Sequence, residues 1–493
     1  MESGKIVKQF TKFIYPFKYE KNSPQKRLDE IIFSSKGNAM RVWERCGVDG
    51  HEIREDISEF FSDTDEECPS RIADCYSLNL NCRSTLGLPK NRGDVLTFVC
   101  RNDNRQKVSI TDVRLYLFES EVGFAEITCG YQSQGIADYI DCNYFISEIK
   151  SDKNYFVFTK RDADAQESEI RFSVKELLQR MMAYAGEVQQ FNNKGKDFSE
   201  IKPIVYSYLL LDEKPDNLET LLFLVRKNYT ESYKLPKSEY DIYNNPNVLQ
   251  NFDNSYWATS KNSVVNVTFL VGDKKTDDFF TNNFSPRMLT TYYHLFLSVL
   301  HQKYAVQHFL VKMGRLDKIV EKYSVMNTQL KCAREYRAQA ASLKFRAFFK
   351  IPSNIEHINN YFNLISNTYE IDTICDNFNA DIDNLVSICD TYVSRINDHE
   401  NMKRNIKREK IQALVVFIGG LVVFVTLFNT SWEILEKVCN ETLPFFSPQV
   451  LVLFVVLLLS ITVTILDVFG RLTGAKRSLK NLKDEFEDRP KLS

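Results

Sequence analysis

Two long uncharged segments stand out in the pattern of hydrophobic and polar positions near the end of the chain. Residues 411–428 (IQALVVFIGGLVVFVTLF) carry no charge over 18 positions. As a helix they span roughly 27 Å, close to the thickness of a bilayer core. A second segment begins at residue 450 (VLVLFVVLLLSITVTIL). We therefore predict transmembrane helices at residues 411–428 and 450–470; a buried helical hairpin in a soluble core is the alternative.

Charged residues flank these two segments unequally. Five basic residues precede the first segment and five follow the second: Lys403, Arg404, Lys407, Arg408 and Lys410, then Arg471, Lys476, Arg477, Lys480 and Lys483. Between the segments, the acidic Glu433, Glu436 and Glu441 outnumber the single Lys437. Basic flanks stay on the cytoplasmic side of a membrane. We expect a multi-pass protein of the inner (plasma) membrane with both termini cytoplasmic, an external loop at residues 429–449 and a cytoplasmic tail at residues 471–493.

Apolar residues upstream of the first segment recur at helical spacing. They lie three or four positions apart and keep one helix face apolar: Ile371, Ile374, Phe378, Ile382, Leu385, Cys389, Tyr392 and Ile396. Ser285 and Pro286 are typical of a helix start, and this first helix is predicted to run through about residue 350. A second helical run begins near Asn354 and could enter the membrane unbroken, or be interrupted near Asn367 or residues 376–380. Residues 276–410 are thus predicted to form a long-helix stalk.

Short strand-like and helical runs alternate between residues 71 and 275. The runs DVRLYLFESEVGFAEITC and IKPIVYSYLLL are typical of strands, whereas SVKELLQRMMAYAGEV is typical of a helix. This alternation predicts a cytosolic α/β or α+β domain at residues 71–275. Residues 1–70 form an N-terminal segment without a clear pattern. Its acidic run SDTDEE, at residues 62–67, predicts a solvated loop, with a metal site as the alternative.

Composition narrows the class of protein. A chain of 493 residues with 13% aromatic and 26% charged residues is expected to form two or three folded units. The net charge of -2 is uninformative about nucleic-acid binding, and no direct nucleic-acid partner is expected. Eleven cysteines occur singly, without a CxxC pair, which disfavours a zinc ribbon or a disulfide framework and fits a reducing cytosol. The N-terminal sequence lacks the apolar region of a cleaved signal peptide.

No catalytic motif is evident in the sequence. The run NNKGKDFS at residues 192–199 lacks the earlier glycine of a phosphate-binding loop. The chain contains no HExxH or GxSxG motif and no recognisable nucleophile–base pair. We therefore expect a protein that is not an enzyme and that carries no covalent cofactor.

Three histidines repeat at intervals of seven on the predicted first helix. His294, His301 and His308 would lie on one stripe, about 10.5 Å apart per step, which is too far for one metal ion. We interpret them as polar positions on an amphipathic helix. A ring of histidines in an oligomer is the alternative.

Three aspartates repeat in the same way on the helix that leads to the membrane. Asp376, Asp383 and Asp390 lie on the face opposite the apolar stripe, where solvated acids are the default interpretation. If several copies of this helix surround an axis, the same residues form stacked acidic rings that concentrate cations. No metal ligand set is assigned from the sequence.

The first apolar segment has features of a pore lining. Gly419 and Gly420 allow close helix approach, and Thr426 supplies a hydroxyl near the end of the segment. Phe424 and Phe428 could face lipid or form hydrophobic constrictions that gate a pore by dewetting. Neither segment contains a central charge, which disfavours a carrier driven by an intramembrane carboxylate.

This arrangement resembles the CorA superfamily of cation channels. The run DVRLYLFESEVGFAEITC is similar to the strand pair of CorA-like cytosolic domains, and NMKRNIKREKIQALVVF to their entry into the pore. The resemblance implies a homopentamer in the lipid bilayer, whose first span lines the pore and whose outer glutamates lie at its mouth. The family signature is Gly-Met-Asn after the first span. Here Leu427, Phe428 and Asn429 occupy that place, so only Asn429 is retained, which argues against selective uptake of hydrated magnesium.

Divergent CorA-like proteins without this signature accompany type III CRISPR systems. There they act as membrane effectors that answer a nucleotide second messenger, a conjugate of S-adenosylmethionine and AMP. The resemblance implies a channel or effector that permeabilises the membrane in antiviral defence. Lys160 and Arg161, after NYFVF, are candidate ligand-binding cations, or else a plain surface pair. The alternatives are a divalent cation (magnesium or cobalt) transporter of the CorA family, and a membrane-anchored scaffold.

Overall fold

The structure is a computed structural model, and it describes most of the chain up to residue 440. The described residues are 4–440 apart from 20–22, 36–37, 49–51, 62–70, 102–103, 150, 152, 162–166, 187, 191–201 and 314–325, together with 455, 456, 458, 459, 463 and 470. The chain divides into two compact units. The first comprises Met1–Lys312 and Gln339–Asp381, and the second Met313–Ala338 and Ile382–Ser493.

Strands and helices occur in mixed order along the described residues. The strands are β1 (Ile6–Tyr19), β2 (Ile32–Ser35), β3 (Asn38–Arg41), β4 (Trp43–Arg45), β5 (Ala73–Leu78), β6 (Leu96–Val99), β7 (Arg105–Phe118), β8 (Val122–Tyr131), β9 (Tyr155–Arg161), β10 (Glu167–Phe172), β11 (Val188–Gln190), β12 (Ile204–Leu211), β13 (Val248–Phe252), β14 (Ser255–Ser260) and β15 (Ser263–Phe269). The helices are α1 (Ser23–Glu30), α2 (Glu55–Ser58), α3 (Ile136–Ser147), α4 (Val174–Ala185), α5 (Leu218–Lys227), α6 (Lys274–Asp278), α7 (Ser285–Leu289), α8 (Thr291–Met313), α9 (Met326–Ala347), α10 (Glu356–Thr368) and α11 (Ile371–Asn440).

One large mixed sheet organises the first unit. Its strand order is β10-β9-β6-β7-β8-β1-β12-β15-β14-β13, with β5 also on β7, β4 on β5, and β11 on β1. Strands β12 and β15 run parallel, whereas β8 pairs antiparallel with both of its neighbours, β1 and β7. The predicted α+β domain followed by long helices is confirmed.

Strand β1 lies in the middle of this sheet, although it belongs to the N-terminal segment for which the sequence predicted no element. A lysine at position 12 and a proline at position 16 break the hydrophobic pattern expected of a central strand. Pro16 is accommodated because it lies next to the point where the partner of β1 changes, from β12 opposite Ile14 to β11 opposite Phe17.

Helices cover both faces of the sheet, as the alternation of side chains along β1 illustrates. Phe13 and Phe17 belong to the apolar cluster that includes residues of α3, α4 and α5. Ile14 belongs to the opposite cluster, which includes residues of α7, α8 and α10. Successive side chains of a strand point to opposite faces, so both faces of β1 are buried.

An α-helix begins at Ser285 with Pro286 in its first turn, as predicted, but Ser285 does not act as an N-cap. Helix α6 and a π-helical segment, Phe279–Phe284, lead into α7 without a break, and Ser285 is itself helical and buried. The wider π-helical turn accommodates a proline that has no N–H to donate. The predicted continuous helix is interrupted, since α7 ends at Leu289, Thr290 is its non-helical C-cap, and α8 begins at Thr291.

Helix α11 is continuous over 70 residues. Glu370, in the left-handed region with φ of 57°, separates it from α10, so the chain breaks near the predicted point at Asn367, whereas residues 376–380 are helical. The predicted apolar stripe is confirmed at its buried positions: Ile371, Phe378, Leu385, Cys389 and Tyr392. Within the second unit, Leu385 and Cys389 pack against Ala333 of α9.

The first predicted transmembrane segment, residues 411–428, lies in the second half of α11. In the described part of the chain, one helix is long and apolar enough to cross a membrane, and its most apolar 18-residue window is entirely unburied. The helix continues past residue 428 to Asn440, so residues 429–440 of the predicted external loop are helical. The second predicted segment, residues 450–470, lies outside the described residues except for six exposed helical positions.

Candidate functional site

The turn between β7 and β8 forms the roof of a small cavity. Glu119, Ser120 and Glu121 make this turn, and Glu121 adopts a left-handed φ of 64° that costs a non-glycine residue roughly 1–2 kcal/mol. Backbone hydrogen bonds hold it in place. The Glu119 N–H donates to Ile72 O at 3.0 Å, and the Tyr19 N–H donates to Glu121 O at 3.1 Å. Strained backbone that is held by its surroundings is typical of functional turns.

The cavity has a volume of about 130 Å³ and lies within the first unit. The turn, helix α8 and the last turns of α9 enclose it. Its polar lining residues are Glu119, Ser120, Glu121, His301, His308, Lys312, Gln339 and Ser342, and its apolar ones include Ile72, Ala305, Phe309 and Leu343. A cavity with a few convergent polar groups on an apolar wall has the make-up of a small-molecule site.

His301 is the buried polar group of this cavity. Its ring stacks on Phe118, with centroids 4.2 Å apart and planes 7° from parallel. Its Nε2 atom lies 3.0 Å from Ser120 Oγ, whereas Nδ1 is buried and has no hydrogen-bond partner in the described part of the chain. Burial lowers the pKa of His301 to about 3, so the ring is neutral. A neutral imidazole has one donor and one acceptor, so Nδ1 is left with an unused hydrogen-bonding capacity beside the cavity.

An ion pair lies beside His301 in the same cavity. Lys312 Nζ contacts the carboxylate of Glu121, and His308 Nε2 lies 3.5 Å from that carboxylate. Burial opposes ionisation of Glu121, but hydrogen bonds from His308 and Lys312 outweigh it and lower its pKa. Burial also lowers the pKa of His308. At neutral pH the cavity therefore offers hydrogen-bonding groups next to a paired carboxylate and ammonium.

A second buried polar group lies between the sheet and α8. Lys12 of β1 and Glu126 of β8 form an ion pair at 2.5 Å, and both are almost completely buried. The hydroxyls of Thr128 and Tyr116 donate to Glu126 at 2.7 and 2.9 Å, and the hydroxyl of Tyr293 also donates to it. The carboxylate is thus fully hydrogen-bonded, as a buried charge requires.

This ion pair positions α8 and therefore the cavity. Tyr293 belongs to α8, and its ring also lies 4.3 Å below Lys12 Nζ. Burial opposes ionisation of Glu126, but the charges of Lys12 and Arg114 outweigh it and lower its pKa to about 2. The carboxylate remains ionised at neutral pH, and its hydrogen bond from Tyr293 ties the N-terminal part of α8 to β1 and β8.

The interpretation of the histidine stripe as polar positions on an amphipathic helix is wrong for two of its members. His294 and His301 are both buried in the first unit. His294 packs against Phe61, with centroids 4.8 Å apart, and burial lowers its pKa to about 4. A neutral histidine is tolerated there because aromatic rings cover it. Neither residue is available for a ring of histidines between subunits.

The predicted pore residues lie on the unburied end of α11. Gly419 and Gly420 have open space where a Cβ atom would be. The ring of Phe424 stacks on that of Phe428 with centroids 6.1 Å apart, and the ring of Phe428 stacks in turn on that of Trp432 with centroids 6.0 Å apart. The Thr426 hydroxyl donates to Val422 O at 2.7 Å. These contacts are within one helix and follow its spacing of four residues.

The predicted mouth residues are described only in part. Asn429 and Glu433 are exposed on α11. The side chain of Glu436 and the whole of Glu441 lie outside the described residues. The acidic stripe is exposed at all three positions: Asp376, Asp383 and Asp390.

Other predicted sites also fall partly or wholly outside the described residues. The backbones of Lys160 and Arg161 lie on β9, but their side chains are not described. The acidic run at residues 62–67 and the run at residues 192–199 are likewise outside. Among the residues that the structure describes, no group of three or more His, Cys, Asp or Glu side chains could hold a metal ion.

Sequence reasoning missed the cavity because its residues come from distant parts of the chain. Ser120 and His301 are 181 positions apart. One signal was present, since FESE joins two predicted strands without the glycine that a left-handed turn residue favours. No family model matches the chain, and no curated protein matches it.

Proposed function

We propose that this chain is a CorA-like membrane channel or effector, in which a ligand bound to the α+β domain acts on the membrane through α11. One observation carries the proposal. Helix α11 begins at the buried Ile371 in the first unit, and its apolar window is unburied. Because one continuous helix contains both the buried start and the uncovered apolar stretch, a displacement of its start can move the apolar stretch.

The uncovered stretch requires an apolar environment. Burying one large aliphatic or aromatic side chain stabilises a protein by about 1.5–3 kcal/mol, so a row of them is costly to expose to water. Exposed large apolar side chains occupy most positions of residues 411–428: Ile411, Leu414, Val415, Val416, Phe417, Ile418, Leu421, Val422, Val423, Val425, Leu427 and Phe428. In the proposal, the lipid bilayer, the second span at residues 450–470 and other copies in a homopentamer cover them.

The cavity below the β7–β8 turn is the proposed ligand site of the domain. Its volume of about 130 Å³ is below the about 300 Å³ typical of pockets for drug-sized ligands. A nucleotide messenger of the S-adenosylmethionine-AMP type would place only one small polar end there, against His301 and Ser120. Such a ligand opens the pore only if it binds the open and closed states with different affinity.

Binding and ion flux test this proposal together. The full chain would be purified in detergent and titrated with S-adenosylmethionine-AMP and a panel of adenylate messengers, then reconstituted into vesicles that contain an ion-sensitive dye. We expect one nucleotide to bind and to increase ion flux. Binding should weaken at least tenfold in the variant His301→Leu and remain unchanged in Asp376→Asn, which alters an exposed residue far along the sequence.

The outcomes separate the proposed classes of function. Ion flux without any nucleotide effect would favour a divalent cation transporter, which the exposed Asp376, Asp383 and Asp390 also support. In that case, Asn429→Ala should abolish complementation of a magnesium-requiring strain. Membrane insertion with neither binding nor flux would leave only a membrane-anchored scaffold and would contradict the proposal.

A further inference from the structure

Two cysteines face each other across neighbouring strands of the first unit. The register of β4 with β5 ends with Arg45 opposite Tyr76, and Cys46 and Cys75 are the next residues of the two segments. The Cys46 N–H donates to Cys75 O at 2.9 Å. The two Sγ atoms are 2.8 Å apart. In the described part of the chain, no other two cysteine sulfur atoms make such a contact.

This geometry is suited to a covalent bond between the two sulfur atoms. Directly opposed residues at a hydrogen-bonded position of an antiparallel pair have Cα atoms about 5.5 Å apart, within the range of about 4.4–6.8 Å that disulfides require. A disulfide has an S–S distance of about 2.05 Å. The sulfur atoms therefore need to approach by only about 0.8 Å, which small side-chain rotations supply.

The two cysteines differ in access and in acidity. Cys46 is half-buried, whereas Cys75 is 3% exposed. The hydrogen bond from Cys75 and the guanidinium of Arg114 lower the pKa of Cys46 against the opposing effect of burial. Burial raises the pKa of Cys75. The thiolate is the reactive form of cysteine, so Cys46 is the group that an incoming reagent meets first.

We propose that Cys46 and Cys75 form a redox-active dithiol that exchanges with low-molecular-weight disulfides. The Cys46 thiolate attacks one sulfur of the small disulfide, forms a mixed disulfide and expels one small thiolate. Cys75 then loses its proton and attacks Cys46 Sγ, and the second small thiolate leaves. The protein is oxidised by two electrons, the small disulfide is reduced to two thiols, and the two protein protons end on those thiols.

The bond would fasten a segment that packs against the cavity helix. It links the end of β4 to β5 and so closes the loop between positions 46 and 75. That loop contains Phe60 and Phe61, whose rings contact His294 of α8. Closing a loop restricts the unfolded chain, so the oxidised protein should have the higher Tm. In a reducing compartment such a bond is transient and reports the redox state. This inference does not depend on the proposed channel function.

Peptide mapping of the full chain tests the proposal directly. The protein, purified in detergent, would be incubated with oxidised glutathione, alkylated to block free thiols, and digested. We expect a cross-linked peptide that joins Cys46 to Cys75, the loss of two alkylatable thiols, and reversal by reduced glutathione. Complete alkylation of both cysteines after this treatment would overturn the proposal, as would cross-links that join other cysteines.

Single variants separate the two roles. In Cys75→Ser the second step cannot occur, so glutathione should remain attached to Cys46. In Cys46→Ser the buried Cys75 should stay free of glutathione. The control Cys82→Ser, at another buried cysteine, should form the cross-link like the natural chain. Attachment of glutathione to Cys75 in Cys46→Ser would contradict the assigned order. If a variant does not fold, the peptide map of the natural chain still decides whether the pair reacts.

Discussion

The pairing of Lys12 with Glu126 shows how single residues hold the first unit together. A lysine in the middle of a central strand is tolerated because a carboxylate lies 2.5 Å away and three hydroxyls complete that carboxylate's hydrogen bonds. An isolated buried charge costs far more than a paired one. The pair also brings α8 to the sheet through Tyr293, so the loss of either charge should affect the cavity as well as stability.

The variant Glu126→Ala should destabilise the protein strongly. It leaves the ammonium of Lys12 buried without its counter-charge, which costs about 3–5 kcal/mol. Thermal unfolding of the full chain in detergent would measure this as a large fall in Tm. Glu169→Ala is the matched control, because it removes a carboxylate from an exposed pair with Arg171 and should leave Tm almost unchanged. Equal effects of the two variants would contradict the role given to Glu126.

Two buried histidines should make stability depend on pH. Burial lowers the pKa of His294 to about 4 and that of His301 to about 3, whereas both titrate near 6.5 when unfolded. Their folded pKa values are depressed, so the unfolded state binds more protons below pH about 6.5. Stability should then be highest above that pH and fall by roughly 1.4 kcal/mol per pH unit for each histidine as the pH drops towards 4.

Measurements of Tm against pH would check this dependence. The variant His301→Gln keeps a group that can hydrogen-bond to Ser120 but does not titrate in this range, so its Tm should fall less steeply between pH 6.5 and 4.5. An unchanged slope in His301→Gln would contradict the burial of a neutral ring.

Glu126 affects stability in a lower pH range. Its folded pKa of about 2 means that its contribution is present above pH about 4.5 and is lost as the pH falls towards 2.

At the scale of elements, the contact between β8 and β1 requires a glycine. A Cβ atom on Gly123 would lie 2.3 Å from Phe17 Cζ, in the middle of the sheet. Gly123→Ala should therefore destabilise the protein by about 1–3 kcal/mol, since neither strand can move freely. Gly130→Ala on the same strand is the control, because its nearest neighbour is the rotatable hydroxyl of Ser109 at 3.1 Å. A smaller fall in Tm for Gly123→Ala than for Gly130→Ala would refute this packing argument.

Elements with regular local patterns could be predicted from the sequence, whereas those that depend on distant partners could not. The hairpin of β7 and β8 and the buried face of α11 follow strand and helix periodicity, and both were predicted. Strand β1 was missed because Lys12 becomes acceptable only beside Glu126, which is 114 positions away. The burial of His301 likewise depends on Phe118, a residue that its own helix pattern does not reveal.

At the scale of the whole molecule, the account depends on whether the apolar end of α11 enters a bilayer. Val416 and Val423 are both exposed within it. Replacing both by lysine should prevent insertion, because each charge near a span centre costs about 2.5–3.5 kcal/mol on insertion scales. Labelling of Cys439 in intact cells by a membrane-impermeant maleimide would measure this, because Cys439 is external only if the segment crosses the membrane; Val416→Leu and Val423→Leu together are the control. Equal labelling of the lysine and leucine variants would contradict a membrane role for this segment.

Current across a planar bilayer is the most direct test of the proposed channel. The full chain would be reconstituted beside the variant Ser394→Pro, which breaks α11 between its buried and apolar parts, and Ser394→Ala as its control. We predict stepwise currents that respond to ligand in the natural chain and in Ser394→Ala, and currents that no longer respond in Ser394→Pro. Inserted protein that passes no current under any condition would contradict the account.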